Sequence, residues 1–327
     1  MVLRRAWTPV RAGGAHLILE PKEGAVAERI VLIRNPGAGT AESWSELEER
    51  VMQHPQMEVR ATEGPGDATR LAVEARAEGA DLVVAVGGDG TISEIVQGLA
   101  PDFSRTALGI LPFGTGNDTI RSLGIPEDPL EALDIVLAGI DRPVDLVRVE
   151  LDDRVRWMLN TCTGGFSAEV TSCITDEIKD RWGRFAYLRC SLDALGDLPE
   201  HTLDLRVDGE AVPSTEIVQL VLANGRFAGH GVAVAPEAHM DDGLLDVVVV
   251  RAAPLPRLLA LVPAVLRGEQ PESELILAGR GASVELELDP PMAVSVDGEV
   301  TDVGALRLEV LAGAGRVRAP AEAGPAG

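Results

Sequence analysis

Aromatic residues make up only 3% of this 327-residue chain although 46% of it is hydrophobic. Any core must therefore be built from Val, Leu, Ile and Ala, the ordinary material of α/β layers. Cations are scarce too, with 29 Lys and Arg against 52 Asp and Glu and a formal charge of −23. That balance excludes a nucleic-acid partner, because phosphate backbones are bound through cations that displace counterions. It also excludes constant adhesion to anionic lipid. A membrane contact has to be local, through a patch such as Lys179 to Arg189, which reads equally well as a solvated helix face. The three cysteines, Cys162, Cys173 and Cys190, form no CxxC pair and leave one thiol over in any disulfide scheme. They point to the cytoplasm and to inert thiols. Met1 to Gly24 has arginines without the apolar run of a signal peptide or spanning helix, so it reads as a partly ordered extension. The Ala/Pro/Gly-rich stretch 319–327 reads as a frayed tail.

At this length two domains are expected, each with its own core. In the first half, strand-like runs alternate with helical ones, the pattern of a mostly parallel sheet with crossover helices. Strands are expected over 29–34, 57–61, 81–86 and 107–111, and helices over 67–78 and 130–137. Trp44, Leu47 and Val51 recur at helical spacing, as do Ile92, Ile95, Val96 and Leu99. The character changes near Val144. Strands are expected over 154–161, 203–207, 217–223, 244–250, 284–288, 293–296 and 305–310, with helices around 175–195 and 255–267. Such strand density suggests a β-sandwich or barrel-like unit. The division expected is an extension over 1–27, an α/β unit over 28–143, a β-rich unit over 144–318 and a tail over 319–327.

The sharpest local feature is Gly87-Gly88-Asp89-Gly90-Thr91, between the buried strand 81–86 and a helix. A glycine-rich strand-to-helix turn lets backbone N–H groups approach phosphate oxygens, and the helix N-terminus favours the negative charge. Asp-Gly is also a hairpin cue, but the segment that follows is helical. Two more loops, Asn35-Pro36-Gly37-Ala38-Gly39 and Gly114-Thr115-Gly116-Asn117-Asp118, follow other strands. In an open α/β sheet such strand ends line the ligand crevice. GxxxxGK[ST], spaced GxGxxG, HExxH and GxSxG are all missing. Without a P-loop lysine, phosphate charge has to be met by metal, which gives Asp89 and Asp118 a purpose. Asp297-Gly298-Glu299 follows an apolar strand and offers a carboxylate for the proton of an alcohol, or else a plain β-turn. Asp241-Asp242-Gly243 is likewise a cation ligand or a chain reversal.

Taken in order, these motifs resemble the diacylglycerol kinase catalytic family in its small soluble bacterial lipid kinase branch. The resemblance runs from about Arg29 to Val317 and takes in NPxxG at 35–39, Thr62 with Gly66-Asp67-Ala68, GGDGT at 87–91 with Glu94, and GTxND at 114–118. It continues through Val144-Asp145-Leu146, Asn160 with Gly164-Gly165-Phe166, Asn224, Pro236-Glu237-Ala238, Asp242-Gly243 and Asp297-Gly298-Glu299. It implies an α/β nucleotide domain, a β-rich second domain and an active site in the cleft between them. ATP would contact Asn35, Pro36, Gly37, Ala38, Gly39, Thr62, Gly88, Asp89, Gly90, Thr91, Ile92, Ser93, Glu94 and Thr115. Asp89, Asp118 and Asp145 would hold Mg²⁺ through water, and Asp297 or Glu299 would act as base. A second, structural Mg²⁺ would sit near Asp242, with the carbonyls of His239 and Leu244. Ala38 stands where the family often has Ser, Thr119-Ile120 replaces a common Phe-Ala, and His230 interrupts a run of glycines as a loop residue or a substrate contact.

The activity so implied is transfer of the γ-phosphate of ATP to a lipid hydroxyl during transient contact with a membrane surface. Diacylglycerol, phosphatidylglycerol, sphingoid bases, polyprenols and glycosylated lipids remain open as acceptors. The alternatives are an NAD kinase-like enzyme with a soluble acceptor and a regulator that binds nucleotide or lipid without turnover. Oligomeric state is open, and the sequence is compatible with a homodimer.

Overall fold

The computed structural model describes residues 8–10, 18–20, 28–151, 154–165 and 200–320. The expectations placed on the N-terminal extension, on Phe166, Cys173, Cys190, the stretch 175–195 with its basic patch, and most of the tail lie outside these residues.

A small hairpin, β1 (Thr8–Val10) and β2 (Ile18–Glu20), precedes an alternating unit. This unit comprises β3 (Ile30–Arg34), α1 (Ala41–Val51), β4 (Met57–Ala61), α2 (Asp67–Ala77), β5 (Leu82–Gly87), α3 (Asp89–Leu99), β6 (Ala107–Pro112), α4 (Asp118–Leu123) and α5 (Pro129–Ala138). Its strands lie in the order β4-β3-β5-β6, all parallel. Every residue of β5 and β6 is buried, because helices cover both faces of a parallel sheet. Local chemistry starts the helices. Thr40 caps α1 in a reciprocal box with Ser43, and Asp128 accepts from the N–H groups of Leu130 and Glu131 ahead of α5. Trp44, Leu47 and Val51 are all buried, so the spacing seen in the sequence is the inner face of α1.

The second unit contains β7 (Ile140–Leu151), β8 (Arg154–Met158), β9 (Thr161–Gly165), β10 (His201–Val207), β11 (Glu210–Ala223), β12 (Phe227–Ala228), β13 (Val232–Ala233) and β14 (Leu245–Arg251). It is completed by α6 (Leu255–Leu259), α7 (Val262–Leu266), β15 (Ile276–Gly281), β16 (Ser283–Val296) and β17 (Glu299–Ala319). Its strand pairs are antiparallel. In β10, His201, Leu203 and Leu205 face inward and Thr202, Asp204 and Arg206 face out, the period of a half-buried strand.

Several expected elements change shape. The strand expected over 154–161 is two strands, because the chain turns at Leu159 and Asn160 and directs their N–H groups to a carboxylate described below. The strands expected over 284–288 and 293–296 are one strand, β16, which crosses Pro290 and Pro291 by a shift of register between Glu287 and Met292. The helix expected over 255–267 is two short ones, since Pro263 cannot donate within a continuous helix. The strand over 305–310 is the middle of β17.

Two long strands bind the units together. In β7, Val144 and Leu146 belong to the first core, and Val147, Val149 and Leu151 to the second. β17 runs beside β7 and ends parallel to β6, with Val317 opposite Leu108. Arg318 fastens this return. It is 5% exposed, and its guanidinium donates to Asp141 at 2.5 Å, Glu28 at 2.7 Å and the Val136 carbonyl at 3.0 Å. Arg318→Ala removes one of two arginines from Asp141 and the Arg318 contact from Glu28, and should lower unfolding free energy by about 3 kcal/mol in a urea titration.

Candidate functional site

Three loops meet at the carboxyl edge of β3, β5 and β6. Their packing depends on missing side chains. A Cβ on Gly114 would stand 2.5 Å from the Gly88 Cα, and one on Gly88 would stand 2.9 Å from the Gly114 Cα. The two loops cross backbone to backbone, which no larger residue allows. Gly39, at φ +70°, fits against the Phe113 ring and draws the Asn35 to Gly39 loop into the same place. That loop is closed by the Gly37 N–H on the Asn35 side-chain oxygen at 2.9 Å.

Gly88 is the N-cap of α3, and the first helical hydrogen bond runs from the Ile92 N–H to the Gly88 carbonyl. The N–H groups of Asp89, Gly90 and Thr91 precede it and, as first-turn donors, suit an anion. Ile92 and Ser93 are each 2% exposed, so their side chains turn toward the protein rather than the crevice. Thr91 is also buried, its hydroxyl side against Gly87. Thr115 is exposed, and Thr62 sits at the end of β4 with its N–H on the Arg34 carbonyl. Glu94 is engaged elsewhere: its two oxygens accept from Gly66 and Ala68 at 2.9 and 3.1 Å, fixing the loop after Thr62.

The aspartates are held by backbone donors from distant segments. Asp89 accepts from the N–H groups of Asp118 (3.2 Å) and Thr119 (3.0 Å). Asp118 accepts from His230 (3.0 Å) and Gly231 (2.5 Å), with Arg121 at 3.4 Å. Burial first, and then the negative charge of Asp89, push the Asp118 carboxyl above its usual range. Asp297 sits at φ +46° and Gly298 at φ +94° in a two-residue turn between β16 and β17, where Val296 pairs with Glu299. The motif is thus a β-turn between strands, one of the two readings of its sequence. The Asp297 carboxylate reaches back to the N–H groups of Leu159, Asn160 and Thr161 at 2.7, 3.0 and 2.9 Å. Burial raises it to about 6, against those three donors, and Asp89 adds to the rise.

Asp145 is placed differently from the other acids. It is 1% exposed, and its oxygens accept from Gly243 at 2.6 Å and Gly313 at 2.7 Å. Its side chain ties the loop before β14 to the irregular part of β17 and makes no hydrogen bond to Asp89 or Asp118. Glu299 is exposed and paired with Arg156. At the expected second metal position, Asp242 accepts the Leu244 N–H at 3.1 Å through one oxygen and the Arg280 guanidinium through the other. A guanidinium stands on Asp242, and no group of three or more His, Cys, Asp or Glu able to hold a metal occurs among the described residues. His239 is exposed and Cys162 is a buried thiol pushed up to about 12 by burial.

Two contributors escape a reading of motifs, and a third, His230, acts otherwise than as a side-chain contact. Ser122 bridges the units, accepting from Arg226 N–H at 3.1 Å and donating to the Asp118 carbonyl or the Asn160 side-chain oxygen, each at 3.1 Å. Arg121 holds the Gly116 carbonyl and pairs with Glu127. His230, exposed and at φ +67°, acts through its backbone N–H. The only available signal was their position one turn after Asp118, or within the glycine run.

Comparison with known proteins agrees with this arrangement. Residues 29–149 match the diacylglycerol kinase catalytic domain, and residues 160–319 the YegS C-terminal NAD kinase beta sandwich-like domain. A probable lipid kinase YegS-like protein of Xanthomonas euvesicatoria is 36% identical over 82% of this chain and 88% of its own length. The diacylglycerol kinase of Bacillus subtilis is 34% identical over 73% and 78%. A crystal structure of a Bacillus anthracis diacylglycerol kinase, 24% identical, shares the fold with a TM-score of 0.71 over 90% of this chain and 97% of that one. By these matches the chain belongs to the diacylglycerol kinase catalytic domain family of lipid kinases.

Proposed function

We propose that the chain transfers the γ-phosphate of ATP to a lipid hydroxyl, with Mg²⁺, where the two units meet. The observation that carries this reading is the convergence of Asp89 and Asp118, on the glycine-loop side, with Asp297 from the β-rich unit. The names of the relatives support a lipid as acceptor. The triphosphate would lie along the first-turn N–H groups of α3 and the 35–39 and 114–116 loops. The lipid oxygen would attack the γ-phosphorus as the bond to ADP breaks, and the hydroxyl proton would pass to Asp297. Of the two candidate bases Asp297 is favoured, because its carboxyl is raised toward the value a base needs at neutral pH while Glu299 is held by Arg156.

Asp89 and Asp118 fit a divalent cation. A Cβ at Gly116 would stand 2.9 Å from one Asp89 oxygen and 3.8 Å from one Asp118 oxygen, and like charges so close favour a cation between them. When bound, Mg²⁺ supplies positive charge to the phosphate oxygens. The residues at Asp242 do not fit a second ion, since Arg280 already meets that charge together with Asp246 at 3.1 Å. Burial raises the Asp246 carboxyl despite this pair. Arg280→Met should therefore cost about 1–3 kcal/mol in urea unfolding at pH 7 by leaving these acids unpaired, with a cost that shrinks as pH is lowered and the raised Asp246 takes up a proton.

Labelled γ-phosphate, Mg²⁺ and a panel of lipids in mixed micelles test the reaction. Label in a lipid supports it, and label only in a soluble dinucleotide would overturn the lipid half. Asp297→Asn should lower the rate by about 10²- to 10⁴-fold. In wild type the rate should fall as pH drops below about 6, the value of the Asp297 carboxyl, and that limb should vanish in the variant. The sign for stability is opposite. A folded-state value above the ordinary 3.8 means that ionising Asp297 removes stability as pH rises from there to about 6. An acid limb unchanged in Asp297→Asn would remove Asp297 from the role of base.

A further inference from the structure

The segment from Arg251 to Gly268 contains three arginines and no carboxylate, in a chain of net charge −23. It forms α6 and α7, and its exposed side is apolar. Leu255, Leu259 and Val262 are 39%, 43% and 43% exposed. The opposite side is anchored, with Leu258 9% exposed in a cluster with Val218 and Leu275. A surface helix ordinarily turns polar residues to water, so this one has its outer face the wrong way round for a freely solvated element. Other exposed large apolar residues, such as Met52, Val73 and Val300, sit singly on separate elements, which is ordinary for a protein surface.

The arginines at the rim of the patch are met by exposed acids of the loop that follows. Arg257 pairs with Glu274, and Arg267 pairs with Glu269 at 2.8 Å, with every member of both pairs more than half exposed. Exposed pairs of this kind hold little free energy, so lipid phosphates can take the place of the carboxylates. Arg251 reaches the Glu274 carbonyl at 3.3 Å, close to the same rim. Apolar side chains flanked by arginines are the composition of an element that lies in a bilayer interface. No helix among the described residues is long and apolar enough to cross a membrane.

Position connects the patch to the candidate site. α7 packs on β13, and a Cβ at Gly268 would stand 3.8 Å from the Ala233 Cβ. β13 begins at Val232, next to Gly231, whose N–H donates to the Asp118 carboxylate. An interface seated on α6–α7 would thus lie one short hairpin from the acid pair.

We infer that α6–α7 is a docking element for an anionic bilayer surface, which holds the Asp118 side of the site against the membrane. The inference rests on the lipid kinase reading for its purpose, but its test does not need turnover. Vesicles of phosphatidylcholine, with and without phosphatidylglycerol, are sedimented with the full chain as wild type and as Leu259→Ser/Val262→Ser. A second variant, Arg257→Gln/Arg267→Gln, probes the charge. Wild type should bind the anionic vesicles more tightly than the neutral ones. The serine pair should lower that partition at least ~10-fold, and the glutamine pair should remove most of its salt dependence. All variants should keep the wild-type melting temperature and ATP affinity, because the altered side chains are exposed. On a short-chain lipid dissolved as monomers, the serine pair should turn over at the wild-type rate. Equal vesicle binding by wild type and the serine pair, or none by wild type, overturns the docking element even if monomeric lipid is phosphorylated. Vesicle binding lost in the serine pair, with no lipid phosphorylated by any form, keeps the docking element and overturns the kinase reading.

Discussion

A buried carboxylate has to be compensated, and in this protein the compensation comes mostly from backbone N–H groups. Asp118, Asp145 and Asp297, and the half-buried Asp89, each accept from two or three of them, from segments 29 or more residues away. Hydrogen bonds to a charged acceptor are stronger than neutral ones, so every acid pulls a loop of another element into a fixed place. Asp118 brings the β12–β13 turn of the second unit onto the first. Asp297 fixes the break between β8 and β9. Asp145 joins the loop before β14 to β17. The layout of the candidate site follows from meeting these charges, and the strands that carry the acids have little freedom to move apart.

Backbone donors solve the burial problem without neutralising the charge. An N–H dipole stabilises a carboxylate but leaves its unit of negative charge in place, whereas a lysine or arginine would cancel it. Asp118 shows the consequence, raised by burial and by Asp89 although two N–H groups point at it. A site built this way retains negative charge beside helix N–H donors suited to an anion, which is the charge the proposed cation would offset. The Asp242 loop follows the other solution. There Arg280 meets Asp242 and Asp246 directly, and the same residue type in a similar acidic turn is already satisfied.

That contrast marks what the sequence could and could not disclose. The parallel unit was legible because its signals are local: buried β-branched runs, helical stripes such as Trp44, Leu47 and Val51, and glycine turns between them. The glycine loops were legible as a crevice because strand order in such sheets puts successive carboxyl ends together. The partners of the acids were not legible, since they depend on contacts from 29 residues apart, between Asp89 and Asp118, to 168, between Asp145 and Gly313. Glu94 and Asp242 stood in the expected motifs, and the fold spends one on the 66–68 loop and the other on Arg280. β7 was missed because Asp141, Arg142 and Pro143 interrupt its apolar pattern, and pairing with β17 along its length and with β8 makes a strand of it. Pro263 divided what reads as one helix.

A net charge of −23 sets a physical problem for any chain that works on a lipid. Repulsion from an anionic surface acts at long range only in dilute salt. At physiological ionic strength the screening length is about 8 Å, shorter than the width of one domain. Charges on the far side of the molecule are then nearly invisible to the membrane, and the residues within about a screening length of it decide whether contact is favourable. Excluding carboxylates from one short segment is sufficient, and arginine together with leucine is a better use of that segment than lysine alone, because the apolar contact persists when salt weakens the charge term. A strongly acidic surface elsewhere keeps such a chain from staying at the membrane between encounters. If α6–α7 docks as inferred, the acidic composition and the carboxylate-free segment 251–268 are parts of a single balance.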